Sequence, residues 1–134
     1  MSDYLKYLPL NDELYEFMRG QRSGAGDPVL AALREETASL GDDARMQISE
    51  EQGDFLGVLA RLVGARNALE VGTFTGYSAL CVARALPADG KLLCLDLDDD
   101  WTAIAKRHWE KAGVADRIEL RIGPAIEALD QLAS

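Results

Sequence analysis

The sequence predicts an α/β protein: a Rossmann-like, doubly wound parallel sheet of which three strand–helix units are present, preceded by helices. Three observations predict it. From Asn67 onward, short apolar runs and helical patterns alternate three times, and such alternation gives parallel strands joined by right-handed crossovers. The run KLLCLDLD, residues 91–98, shows little polar alternation, as expected of a strand covered on both faces. Acids close the first two strands, Glu70 and Asp96, and the first is followed by a glycine loop. Ligands of doubly wound sheets bind at those carboxyl ends.

Taken in order, the chain opens with a helical stretch from about Asp12 to Arg19 that breaks at Gly20, Gly24 and Gly26. A second helix has clear limits: Asp27 caps it, Pro28 takes its first position, and Gly41 closes it. Its apolar stripe is Val29, Leu30, Leu33, Thr37 and Leu40. A third starts at Ser49, which with Gln52 forms a capping-box pattern; its apolar face is Phe55, Leu56, Leu59, Leu62 and Val63, and Gly64 ends it. These helices suggest an N-terminal helical segment over 1–45 and an α/β domain over 46–134. The domain comprises the strand NALEV, the loop GTFTG, a helix ending near Pro87, the strand ending at Asp96, a helix over 100–113, the strand RIELRI and a helix from Pro124. Asp98, Asp99 and Asp100 open the helix that Lys106, Arg107 and Lys111 close, an order that suits the helix dipole and points to a cap rather than a metal site.

Composition narrows the function classes. With 48% apolar and 28% charged residues, the 134-residue chain reads as one soluble globular domain. A net charge of -9 argues against nucleic acid and against anionic membrane surfaces. No apolar run approaches the length of a membrane span, and the N-terminus lacks the pattern of a secretory signal. Cys81 and Cys94 sit in apolar stretches without metal-ligand spacing, which reads as reduced core thiols of a cytoplasmic protein.

The chemistry lies in ALEVGTFTGYSAL, residues 68–80. Gly72 permits a sharp turn and Gly76 close packing where a helix starts. A dinucleotide-binding loop would read GxGxxG, but Phe74 occupies its middle glycine position and Glu70 would repel a pyrophosphate. A cationic or zwitterionic ligand suits the loop better. Asp96 stands 20 residues after Gly76, where a carboxylate can accept both hydroxyls of a ribose. A nucleoside joined to a cationic amino-acid tail, with no phosphate, meets both demands. S-adenosylmethionine is such a molecule.

The stretch from MQIS at 46–49 through LEVGTFTGYS to KLLCLDLD, continued by KAGVADRIELRIGPAIEALDQL, resembles the caffeoyl-CoA and catechol type of S-adenosylmethionine-dependent O-methyltransferase. The resemblance covers roughly residues 40–134. It implies methyl transfer to a hydroxyl of a small phenolic or catechol-like acceptor, and it assigns roles. Glu70 shapes the pocket at the end of the first strand. Gly72 and Thr73 offer backbone groups to the methionine tail, and Ser78 bonds its carboxylate or amino group, with Tyr77 near it. Asp96 takes the ribose hydroxyls, and Ala125 lies on the adenine edge. Met46 to Ile48 touch the methionine end, Ile48 through its backbone.

The resemblance also implies what lies elsewhere. Family members bind a divalent metal, magnesium, through acids on a later strand, so neither a catalytic residue nor a metal ligand is assigned in this chain. The sheet order would be 3-2-1, leaving NALEV as an apolar edge, which points to a missing C-terminal segment or to a homodimer. Residues 2–24 are candidates for an acceptor-side or dimer contact. A non-catalytic module that binds S-adenosylmethionine or S-adenosylhomocysteine is the alternative function; a nicotinamide oxidoreductase is disfavoured by the loop. His108 reads as a surface or boundary residue, and Trp101 and Trp109 as packing residues.

Overall fold

The computed structural model describes residues 7–133, so residues 2–6 of the candidate contact segment and Ser134 lie outside the described residues. Three parallel strands form one sheet in the order β1-β2-β3, with β1 spanning Asn67–Val71, β2 Lys91–Asp96 and β3 Ile118–Ile122. The predicted 3-2-1 order is therefore the observed one. Around the sheet lie α1 (Asp12–Gln21), α2 (Pro28–Ala38), α3 (Glu50–Leu62), α4 (Tyr77–Ala85), α5 (Asp99–Lys111) and α6 (Ala125–Ala133). The chain takes one 3-10 turn over Gly41–Met46 and another over Ala115–Arg117. Among the described residues no helix is long and apolar enough to cross a membrane.

The helix starts follow the sequence. Asn11 accepts from the Leu14 amide at 2.8 Å, Asp27 from Val29 and Leu30 at 3.0 and 2.9 Å, and Asp98 from Trp101 at 2.8 Å. Ser49 accepts from Gln52 at a longer 3.3 Å. Each bond satisfies an amide that has no partner within its helix.

The core lies between β2 and the helices on one face. Leu92 and Cys94 of β2 meet Leu80 and Ala83 of α4, Ile104 and Ala105 of α5, and Leu30 and Leu33 of α2. The α2 stripe thus buries as predicted at Leu30, Leu33 and Thr37. The α3 stripe does not: Phe55, Leu59, Leu62 and Val63 are exposed, and Leu62 retains 75% of its surface. α3 instead buries Gly53 and Gly57 against α4. A Cβ at Gly53 would stand 2.8 Å from Cys81 Sγ and 2.8 Å from Tyr77 Cε1. Two glycines one turn apart let the helices approach, and that approach turns the larger side chains away.

His108 differs from expectation too. It is buried, with Nε2 2.8 Å from Glu36 Oε2, because α5 turns this face toward α2. Arg107 also binds Glu36. Trp109 is a packing residue as predicted, and its indole N–H donates to the Gly76 carbonyl at 3.1 Å.

β1 and β3 are the two edges of the sheet, and on β1 Leu69 is 48% and Val71 58% exposed. At the carboxyl edge the loops are tied by backbone bonds: the Gly72 amide donates to Leu95 O at 2.8 Å and the Gly123 amide to Asp96 O at 2.9 Å. These bonds gather the loops after all three strands in one place.

Candidate donor-binding site

Two cavities open at that edge. The larger, about 390 Å³, is lined by Met46, Val71, Gly72, Phe74, Leu95, Asp96, Leu97, Trp101, Gly123 and Ala125. The smaller, about 60 Å³, is lined by Met46, Gln47, Ile48, Gly72, Thr73, Phe74, Thr75, Tyr77 and Ser78. Met46, Gly72 and Phe74 border both. Of the residues predicted from sequence, Ile48, Thr73, Tyr77 and Ser78 border the smaller cavity, Asp96 and Ala125 the larger, and Met46 and Gly72 sit at the junction.

The loop between β1 and α4 sets this geometry. Gly72 and Gly76 both have φ +83°, a left-handed conformation that suits glycine. At Gly76 the fit is closed as well, since a Cβ would lie 2.6 Å from Ala105 Cβ and 2.8 Å from the Trp109 indole nitrogen. At Gly72 nothing lies within 4 Å of that position, so its backbone faces open space beside the cavities. Among the described residues Phe74 alone has a positive φ without being glycine, at 52°. Its ring meets that of Trp101 edge-on, with centroids 5.0 Å apart and planes at 77°. Trp101 packs against Phe74 as expected, and it also borders the larger cavity.

Glu70 borders neither cavity but lies beneath the loop, one residue before the end of β1. Burial pushes its carboxyl pKa up to about 7. The Ser78 and Thr73 side chains oppose that push, and the Asp96 charge adds to it. Its cross-strand neighbour is Cys94, whose Sγ stands 4.0 Å from Oε1. Among the described residues no salt bridge reaches Glu70. It is a half-buried acid without a salt-bridge cation.

Asp96 is the opposite case. Its Oδ2 accepts from the Thr73 and Phe74 amides, both at 2.7 Å, and its Oδ1 from Leu97 and Asp98 at 2.7 and 3.0 Å. Four amide donors fill the roughly four lone-pair sites of a carboxylate. Here Asp96 holds the glycine loop against the end of β2, a role that sequence reasoning missed.

Gln47, Thr37 and Thr75 were also missed. The Thr37 hydroxyl lies 2.7 Å from Leu33 O and 2.8 Å from Thr75 Oγ1, while Gln47 Nε2 lies 2.9 Å from Thr37 Oγ1 and 3.3 Å from Thr75 Oγ1. Thr37 and Thr75 are fully buried. Thr37 on an otherwise apolar stripe was the available signal.

The site thus offers an apolar, aromatic-walled cavity, a narrow polar annex and a half-buried carboxylate at the end of β1. The comparisons with known proteins agree on one family. The family model described as O-methyltransferase matches residues 21–134. The caffeoyl-CoA O-methyltransferase of Eucalyptus gunnii is 41% identical over 128 residues, which are 95% of this chain and 51% of that protein. The one from Arabidopsis thaliana is 38% identical over 130 residues, 96% of this chain and 50% of that protein. The chain thus spans about half the length of the curated relatives it matches. Among solved structures, the O-methyltransferase of Bacillus cereus in complex with SAH matches 89% of this chain and 54% of its own, with TM-score 0.80 and 32% identity. TomG of Streptomyces achromogenes, in complex with SAM, matches 81% of this chain and 48% of its own, with TM-score 0.74 and 36% identity. This chain belongs to the O-methyltransferase family.

Proposed function

We propose that this chain forms the S-adenosylmethionine-binding half of an enzyme that methylates a hydroxyl of a small phenolic or catechol-like acceptor. One observation carries the reading: an aromatic-walled cavity and a narrow polar annex join at Met46, Gly72 and Phe74, beside a half-buried carboxylate with no salt-bridge cation. A nucleoside fits the first, a zwitterionic amino-acid tail the second, and the positive charge of that tail favours ionisation of Glu70.

In this reading Trp101, Leu97 and Ala125 hold the adenine, and Asp96 meets the ribose hydroxyls by exchanging amide bonds of the loop for them. Gly72 and Thr73 present backbone groups to the tail, Ser78 and Tyr77 flank it, and Met46 and Ile48 close over its methionine end. When bound, the sulfonium supplies an electrophilic methyl carbon that an acceptor oxygen attacks in line. What these residues contribute is alignment of the donor and exclusion of water around it. Among the described residues no three His, Cys, Asp or Glu side chains gather closely enough to hold a metal ion.

The net charge of -9 and the two buried free cysteines support a reducing, cytoplasmic setting. The open β1 edge supports pairing with further strands or with a second copy. Calorimetric titration with S-adenosylhomocysteine tests the donor reading. Saturable one-to-one binding is expected; a folded chain that binds none would refute it. Methyl transfer to a catechol with magnesium then separates an enzyme from a non-catalytic binding module.

A further inference from the structure

We propose that Gln47 is a positioning residue: through Thr37 and Thr75 it fixes the Met46–Ile48 segment against the glycine loop and so sets the width of the narrow annex. The inference rests on the reading of the two cavities as a donor pocket, and it assigns a role to a residue that faces neither reacting atom.

The hydrogen bonds form a consistent set. The one hydroxyl hydrogen of Thr37 lies between two acceptors, Leu33 O within α2 at 2.7 Å and Thr75 Oγ1 at 2.8 Å, and its oxygen accepts from Gln47 Nε2. The second Gln47 amide hydrogen faces Thr75 Oγ1 at 3.3 Å. Gln47 Oε1 is matched in turn by Arg34 Nη1 at 3.4 Å, and the same nitrogen lies 3.4 Å from Ile48 O. Arg34 is itself placed over the Tyr77 ring, 5.6 Å from its centroid, on the other side of the annex. Three segments distant in sequence thus meet at one amide group: α2 through Thr37, the 46–48 segment through Gln47, and the loop through Thr75.

The geometry makes Gln47 the adjustable member. Thr37 and Thr75 are fully buried on regular or tightly tied backbone, whereas Gln47 follows a 3-10 turn on extended backbone with φ -69° and ψ 133°. Among the described residues, the Gln47 amide makes the hydrogen bonds that join the 46–48 side chains to the glycine loop. Removing the amide frees the segment that carries Met46 and Ile48, two walls of the annex. The larger cavity shares only Met46 with that segment. The effect therefore falls on the amino-acid tail of a ligand and spares the nucleoside.

The test uses two ligands and three variants. S-adenosylhomocysteine carries the tail; methylthioadenosine lacks the amino-acid group. Gln47→Leu and Thr75→Val are expected to bind S-adenosylhomocysteine about tenfold more weakly, the loss of one or two hydrogen bonds to buried groups. Methylthioadenosine affinity should stay within about twofold on the same grounds. Thr75→Ser, which keeps the hydroxyl, should match the wild type. Amide hydrogen exchange of the unliganded chain provides an independent reading: Thr75 and Gly76 should exchange faster in Gln47→Leu, while β2 amides should not. Equal losses for both ligands would mean a general structural defect and overturn the proposal, as would unchanged affinity for S-adenosylhomocysteine. Wild-type chain that binds neither ligand would refute the donor-pocket reading instead, and unchanged loop exchange in Gln47→Leu would then overturn the latch by itself.

Discussion

Replacing Glu70 with glutamine should stabilise the unliganded chain at high pH and do little at low pH. Desolvation raises the Glu70 pKa from the ordinary carboxyl value of 4.5 to about 7. A group whose folded pKa lies above its unfolded value binds more protons when folded, so stability falls as pH rises from about 4.5 toward 7 and stays low above that. The span of about 2.5 units, at about 1.36 kcal/mol each, is about 3 kcal/mol at pH 8. At pH 5 the same linkage leaves under about 1 kcal/mol. Glutamine carries no charge at either pH, so Glu70→Gln should gain about 2.5 kcal/mol more at pH 8 than at pH 5, or roughly 8 °C in melting temperature for a chain of this size. Thermal melts at the two values measure it. The ligand should reverse the sign of the benefit: a bound ammonium favours ionised Glu70, so binding near pH 7 should release about half a proton. Titrations in buffers of differing ionisation enthalpy read that release, and the variant should lose both the release and most of its affinity. Equal melting shifts at pH 5 and pH 8, or binding without proton release in the wild type, would refute the account of a desolvated acid awaiting a cation.

Three further outcomes follow from the packing. Gly76→Ala should cost roughly 2–4 kcal/mol, because its Cβ would press on Ala105 and Trp109 at φ +83°, while Gly72→Ala, at the same φ in open space, should cost about 1 kcal/mol; urea melts compare the two. Asp96→Asn should lower the melting temperature even without ligand, since a side-chain NH₂ would face amides that Asp96 now accepts, at a cost of roughly 2–3 kcal/mol; loss of binding with no change in melting would assign Asp96 to the ribose alone. Leu69→Lys on the open β1 edge should reduce self-association in sedimentation without lowering the melting temperature by more than a few degrees.

What the sequence revealed of the fold was what local rules decide. Asp27 and Pro28 announce α2 because capping involves neighbouring residues only. The strand order follows from repeated right-handed crossovers, which leave little choice of topology. The failures concern orientation between elements. Phe55, Leu59, Leu62 and Val63 form a regular stripe, yet α3 packs through Gly53 and Gly57. A hydrophobic stripe shows that a face wants cover; it does not show which neighbour supplies it. His108 was misjudged for the same reason, since its partner Glu36 is 72 positions away.

The site divides along the same line, and its two acids show why. Both end strands, and both looked like ligand contacts. Asp96 meets four amides, from the loop after β1 and from the turn after β2, so its charge is already balanced by fixed dipoles. Glu70 sits one strand away, half-buried beside Cys94 and short hydroxyl side chains, and desolvation outweighs the help they give. Residue type and strand position are alike; the number of amides pointing at each carboxylate is not, and only the folded loop fixes that number. An acid rich in amide donors organises a site, whereas an acid poor in them stores a demand for positive charge. That demand makes Glu70, which borders neither cavity, the group whose titration reports most directly on what the pocket binds.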